Sequence, residues 1–166
     1  MTKSRGDGWL TGDAYETYMG RWSRPLARKF VEWLDAKPLA NWLEVGCGTG
    51  ALTSAISDLC RPASIVACDP SRPFIEYARK NFPDARASFV IADAEALPTR
   101  DGGFDAIVSG LVLNFLPDVE RALSSMRAPS AGRYRRRIRL GLRGRTGISA
   151  TLLGRSSHIG PSRSCV

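Results

Sequence analysis

Five consecutive residues, Gly46-Cys47-Gly48-Thr49-Gly50, constrain this chain more than any others. They follow the apolar run Trp42-Leu43-Glu44-Val45 and precede residues 51–59, which have helical character. A short buried strand that stops at spaced glycines and feeds a helix predicts a loop whose backbone approaches a ligand closely. A Cβ at such positions would block the contact or forbid the required φ angle.

The same pattern recurs downstream. Residues 64–68 form an apolar run ending at Asp69, and residues 70–82 suit a helix with Ser71 at its N-cap. Residues 88–92 form a third run ending at Asp93, and 104–109 a fourth after the turn Asp101-Gly102-Gly103. Residues 117–126 read as a helix with Pro117 near its first turn, and an amphipathic helix is expected over 24–36. Strands alternating with helices through short connections predict an open parallel α/β sheet. The continuous apolar runs fit strands covered on both faces.

In such a sheet ligands bind at the carboxyl ends of the strands, beside the point where strand order reverses. Those ends carry the glycine loop, Asp69, Asp93 and residues 109–114. Asp69, nineteen residues after Gly50, is placed to accept hydrogen bonds from two ribose hydroxyls, which points to a nucleoside. Gly46, Gly48 and Ala51 also fit a loose dinucleotide pattern, so a NAD-dependent oxidoreductase is the rival enzyme reading. Glu44 argues against it. A pyrophosphate favours a helix N-terminus with no acid beside it, whereas an acid before the loop favours a ligand carrying positive charge. The sulfonium and ammonium of S-adenosylmethionine meet that condition, and Asp93 with Ala94 adds an acceptor for an adenine amino group.

On these residues the sequence resembles the class I S-adenosylmethionine-dependent methyltransferases, in particular the bacterial small-molecule branch related to ubiquinone and menaquinone biosynthesis. Residues 43–50, LEVGCGTG, match the first motif of that family, and Asp69-Pro70-Ser71 its ribose motif. Residues 93–98, DAEALP, match the adenine-side motif, and 104–109 with Leu111 and Asn114 the fourth. The resemblance implies a Rossmann-like doubly wound sheet and methyl transfer to a small-molecule acceptor. It also implies Gly46, Cys47, Gly48 and Gly50 against the methionine part of the cofactor, Asp69 and Pro70 at the ribose, and Asp93 and Ala94 at the adenine. Ser109, Gly110 and Leu111 would flank the sulfonium, and Tyr18 and Trp22 would lie in an N-terminal cover with Arg21. Glu44 is either a ligand contact or a structural acid that organises the loop. Asp105 reads as a turn residue, and Tyr15 and Trp33 read as core packing. No general base stands out: His158 is the one histidine and reads as incidental.

The pattern breaks after Arg127. Residues 127–166 hold ten of the 24 basic side chains, all Arg, and none of the 16 acidic ones, so the basic excess belongs to this segment and the rest is slightly acidic. The family resemblance calls for a fifth strand rich in Val and Ala, and none is expected from these residues. The sheet is therefore expected to be truncated after its fourth strand, leaving an exposed edge. We read the break as a shift of reading frame, because codons can be chosen for residues 132–144 that, read one nucleotide later, encode AGTVAAYVWDYA. A genuine disordered basic tail is the alternative. The organisation expected is a cover over 1–40, a cofactor-binding core over 41–127 and an aberrant tail over 128–166.

Two other function classes stay open on the sequence: a non-enzymatic remnant that binds S-adenosylmethionine or a nucleotide, and a nucleic-acid binder driven by the tail. The latter is disfavoured because the rest of the chain is acidic. Cys47, Cys60, Cys68 and Cys165 lack metal-ligand or redox spacing, so no metal is expected. The longest apolar run is interrupted and short of the ~20 residues a membrane span needs, which predicts a cytoplasmic protein without a membrane partner. Acceptor identity and oligomeric state are not legible.

Overall fold

The computed structural model describes residues 12–34, 37–127, 137–144 and 147–153, the last two segments through their backbone. The elements in chain order are α1 (Gly12–Tyr15), a π-helical segment (Glu16–Gly20), α2 (Arg21–Leu34), β1 (Asn41–Val45), α3 (Ala51–Cys60) and β2 (Ser64–Asp69). Then follow α4 (Arg72–Asn81), β3 (Ala87–Ile91), β4 (Ala106–Gly110), a 3-10 turn (Leu113–Phe115), α5 (Val119–Arg127), β5 (Arg137–Gly144) and β6 (Gly147–Leu153).

The sheet order is β3-β2-β1-β4-β5-β6. The first four strands are mutually parallel, with Leu43 opposite Val66 on one side and Ile107 on the other. The chain runs from β1 outward to β3 and then crosses to β4 on the opposite side of β1. The reversal opens a crevice between the carboxyl ends of β1 and β4, where the loops diverge.

Each strand divides its side chains between two cores. Trp42 and Ala67 pack with Phe30, Leu34, Ile56 and Ile75 on one face. Leu43, Val45, Cys68 and Ile107 pack with Ala122 and Met126 on the other. This two-sided burial explains why the strand sequences show no polar alternation.

Asp105 does more than end a turn. Its carboxylate accepts from the Asn41 backbone N–H at 2.8 Å and from the Asn41 amide at 3.1 Å, while its own N–H donates to the Asn41 carbonyl at 2.8 Å. The cluster pins the start of β4 to the start of β1, at the end of the sheet away from the glycine loop. Arg100 joins it by donating to Asn41 Oδ1 and to Ser64 Oγ.

The helix expected over 24–36 belongs to a longer helical run that begins at Gly12, and residues 35–36 lie outside the described residues. Its first part escaped the periodicity reading because a π-helical turn shifts the register of the apolar positions. Ser71 occupies the N-cap of α4 without a side-chain cap bond; Asp69 accepts from its N–H instead.

The sheet also extends past β4, where the sequence leads one to expect truncation. β5 runs parallel to β4, with Val108 opposite Arg139, and β6 returns antiparallel to β5. An unpaired β4 edge would leave a row of backbone donors and acceptors, which any extended segment satisfies. The two-residue alternation Ile138-Arg139-Leu140-Gly141-Leu142-Arg143 suits such a segment. Residues 128–136, 145–146 and 154–166, with His158 and Cys165, lie outside the described residues.

Candidate functional site

The glycine loop is held to the tip of β2 by its own backbone. Gly46 and Cys47 both donate N–H bonds to the Cys68 carbonyl, at 2.8 and 2.9 Å. Gly46, Gly48 and Gly50 take φ of 75°, 54° and 93°, the left-handed region that side chains disfavour. Space adds a second constraint at Gly46, where a Cβ would meet Val112 Cγ2 at 2.5 Å. At Gly48 a Cβ would meet nothing within 4 Å, so the backbone there borders open space.

Two carboxyl groups stand beside this loop. Asp69, 9% exposed, accepts from the Gly48 N–H through Oδ2 and from the Ser71 N–H through Oδ1, both at 2.9 Å. Burial raises its pKa, and these two backbone bonds act against the rise. Glu44, at 1% exposure, accepts a 2.6 Å bond from Thr53 on the first turn of α3. Burial pushes its pKa from 4.5 to about 8, with Thr53 opposing and Asp69 adding to the shift. Neither acid has an Arg or Lys ion-pair partner among the described residues. Two buried acids without a cation make a site that a positively charged ligand would complete.

The thiols beside them are inert. Burial pushes Cys68 up to about 12 and Cys47 well above its ordinary value, so both stay protonated near neutral pH.

The remaining strand ends close on the same crevice. Ser109, fully buried, donates to the Val45 carbonyl at 2.9 Å and joins the tips of β4 and β1. Gly110 ends β4, and Leu111 turns the chain with φ 61°, which brings Val112 against Gly46. The Ala92 N–H donates to the Asp69 carbonyl at 3.3 Å, setting the segment after β3 beside β2. There Asp93 is exposed and accepts from the Glu95 N–H, while Ala94 is buried. Pro70 follows Asp69 as an exposed residue that leads into α4.

Tyr18 and Trp22 are 56% and 60% exposed, with the Arg21 guanidinium 5.9 and 5.5 Å from their ring centres. Two residues that precede them face the loop side: Glu16 touches Thr49, and Tyr15 lies within electrostatic reach of Asp69. Glu16 accepts from the Thr49 hydroxyl at 2.5 Å. Tyr15 packs on Phe74 of α4 at 5.1 Å, and its raised pKa reflects burial first, then Glu16 and Asp69. Sequence spacing gave no signal for Glu16, and the aromatic at Tyr15 read as core packing.

Residues 43–128 match the family model described as a methyltransferase domain. The chain is 36% identical over 117 residues to malonyl-[acyl-carrier protein] O-methyltransferase of Geobacter sulfurreducens, covering 69% of this chain and 43% of that protein. It is 31% identical over 117 residues to demethylmenaquinone methyltransferase of Beutenbergia cavernae, covering 70% and 46%. The matched part thus spans less than half the length of either relative. Among solved structures, a TehB-like SAM-dependent methyltransferase from Corynebacterium glutamicum superposes with TM-score 0.57 at 28% identity, over 78% of this chain and 73% of the other. An S-adenosylmethionine-dependent methyltransferase from Mesorhizobium loti shares the fold with TM-score 0.58 at 20% identity, over 68% and 50%.

Proposed function

Because the chain belongs to the methyltransferase domain family, we propose that its crevice binds S-adenosylmethionine and serves methyl transfer to a small-molecule acceptor. The observation that carries this reading is the pair of buried acids, Glu44 and Asp69, beside a glycine loop and without a basic partner among the described residues. A dinucleotide pyrophosphate would meet repulsion from the Asp69 carboxylate and nothing to draw the proton from Glu44; a sulfonium and an ammonium are attracted to Asp69 and favour ionisation of Glu44.

When bound, S-adenosylmethionine supplies an electrophilic methyl group to a nucleophilic acceptor atom. The chain's own residues bind and orient. Asp69 keeps lone pairs free for ribose hydroxyls, since each of its oxygens accepts one backbone bond. Gly48 leaves room for the ligand against its backbone. Asp93 and Ala94 border the adenine end, and Ser109, Gly110 and Leu111 the methyl end. The raised pKa values of Tyr15, Cys47 and Cys68 leave these groups protonated, so none serves as a base near neutral pH. Catalysis then rests on orientation and on exclusion of water. The acceptor would enter between the cover and the segment after β4, where Phe115 is 78% exposed.

Calorimetric titration of the folded protein with S-adenosylmethionine, beside NAD and beside Asp69→Ala, tests the proposal. Binding of S-adenosylmethionine alone, weakened at least roughly tenfold by Asp69→Ala, is expected from the loss of hydrogen bonds to a charged group. Equal affinity for NAD, or indifference to Asp69, would overturn it.

A further inference from the structure

We propose that Glu16 is a positioning residue that latches the N-terminal cover onto the glycine loop, so that cofactor enters and leaves when its bond to Thr49 opens. The inference rests on the cofactor reading above and adds a residue that the family motifs do not include.

Three separate features converge on Glu16. Its carboxylate accepts from Thr49 Oγ1 at 2.5 Å through one oxygen and from Arg24 Nε and Nη2 at 3.0 and 2.9 Å through the other. One side chain therefore joins the loop, the π-helical segment and α2. The backbone around it is shaped to permit this: Glu16 opens the π-helical segment, and a Cβ on Gly20, at its end, would meet Glu16 Oε2 at 2.5 Å. A π-helical turn with a glycine is what lets the carboxylate fold back over its own helix. Finally, Tyr15 beside it packs on Phe74 and feels the charge of Asp69, so the latch sits at the margin of the proposed ribose site.

The Thr49 side of the contact matters for exchange. Thr49 is 5% exposed and lies between Gly48 and Gly50, both in the left-handed region, so its hydroxyl is presented by a loop whose shape is fixed. The cover is anchored to α4 by Tyr15 and by Gly12 against Tyr77. Glu16 is the point at which it grips the loop.

Full-length wild type, Glu16→Gln, Thr49→Val and Thr49→Ser are compared by backbone hydrogen exchange without ligand and by stopped-flow binding of S-adenosylmethionine. Gln keeps an acceptor for Thr49 but loses the charge toward Arg24; Val removes the donor, and Ser restores it. Thr49→Val should speed exchange in residues 12–24 and cofactor dissociation by roughly tenfold, as expected for a lost bond to a charged group, and Glu16→Gln, which retains a neutral acceptor, by a smaller factor, with Thr49→Ser close to wild type. Strands β1 to β4 should keep their protection, which separates latch opening from unfolding. Unchanged exchange in 12–24 for Thr49→Val, or general loss of protection, overturns the latch. Wild type that ignores S-adenosylmethionine overturns the cofactor reading instead, and the ligand-free exchange data distinguish the two failures.

Discussion

The Thr53 hydroxyl reaches from the first turn of α3 to the Glu44 carboxyl at the end of β1, 2.6 Å away, bridging strand and helix beneath the glycine loop. Burial acts most strongly on Glu44, the Thr53 hydrogen bond opposes it, and the Asp69 charge adds to it. A buried acid in such company holds its proton.

The consequence is a stability that falls as pH rises. Glu44 ionises near 4.5 when unfolded and near 8 when folded, so between those values the folded protein binds more protons. The contribution is present in full below 4.5 and is lost as pH rises through 8. Urea denaturation from pH 5 to 9 should show stability declining by an amount on the order of a few kcal/mol, and Glu44→Gln should flatten the profile. A wild-type profile flat over this window would contradict the assignment.

A cationic ligand should reverse that balance by favouring the Glu44 carboxylate. S-adenosylmethionine binding near pH 7 is therefore expected to release a proton and to tighten as pH rises toward 8. Calorimetry in buffers of different ionisation enthalpy counts the protons, and Glu44→Gln should abolish the release.

Alanine at the two glycines should separate folding from binding. Gly46→Ala combines a positive φ with a collision on Val112, and is expected to cost about 2 kcal/mol or more in denaturant unfolding. Gly48→Ala meets only the conformational penalty, about 1 kcal/mol. Its methyl would enter the ligand's space, so cofactor affinity should fall by roughly tenfold or more while the fold survives.

Asp105→Ala removes the clamp on Asn41 at the far end of the sheet. Its expected effect is a loss of about 1–3 kcal/mol in stability. Cofactor affinity should stay within about twofold of wild type, because the two sites share no partners. A large affinity loss in folded Asp105→Ala would place that carboxylate in the binding machinery after all.

The abrupt Arg-rich composition after Arg127 makes a claim about the coding DNA. Sequencing should reveal an open alternative frame that reads AGTVAAYVWDYA across the codons for residues 132–144. A closed alternative frame would leave the basic segment as the encoded one.

The sequence by itself determined the strand and helix order from α2 through α5 and the place of the loop, because continuous apolar runs punctuated by glycines and acids are local signals. Gly46, Gly48, Gly50, Asp69 and Ser109 were legible for the same reason: each lies at the tip of an element that its own neighbours define. Only the tertiary structure decided that Asp105 clamps Asn41, that Glu44 is sealed against Thr53, and that Glu16 reaches the loop. These contacts join residues far apart in the chain, and the π-helical turn rotates the cover by an amount that a regular helical period does not contain. The pairing of β5 with β4 belongs to the same class, since an open strand edge selects its partner through backbone groups common to every residue but proline.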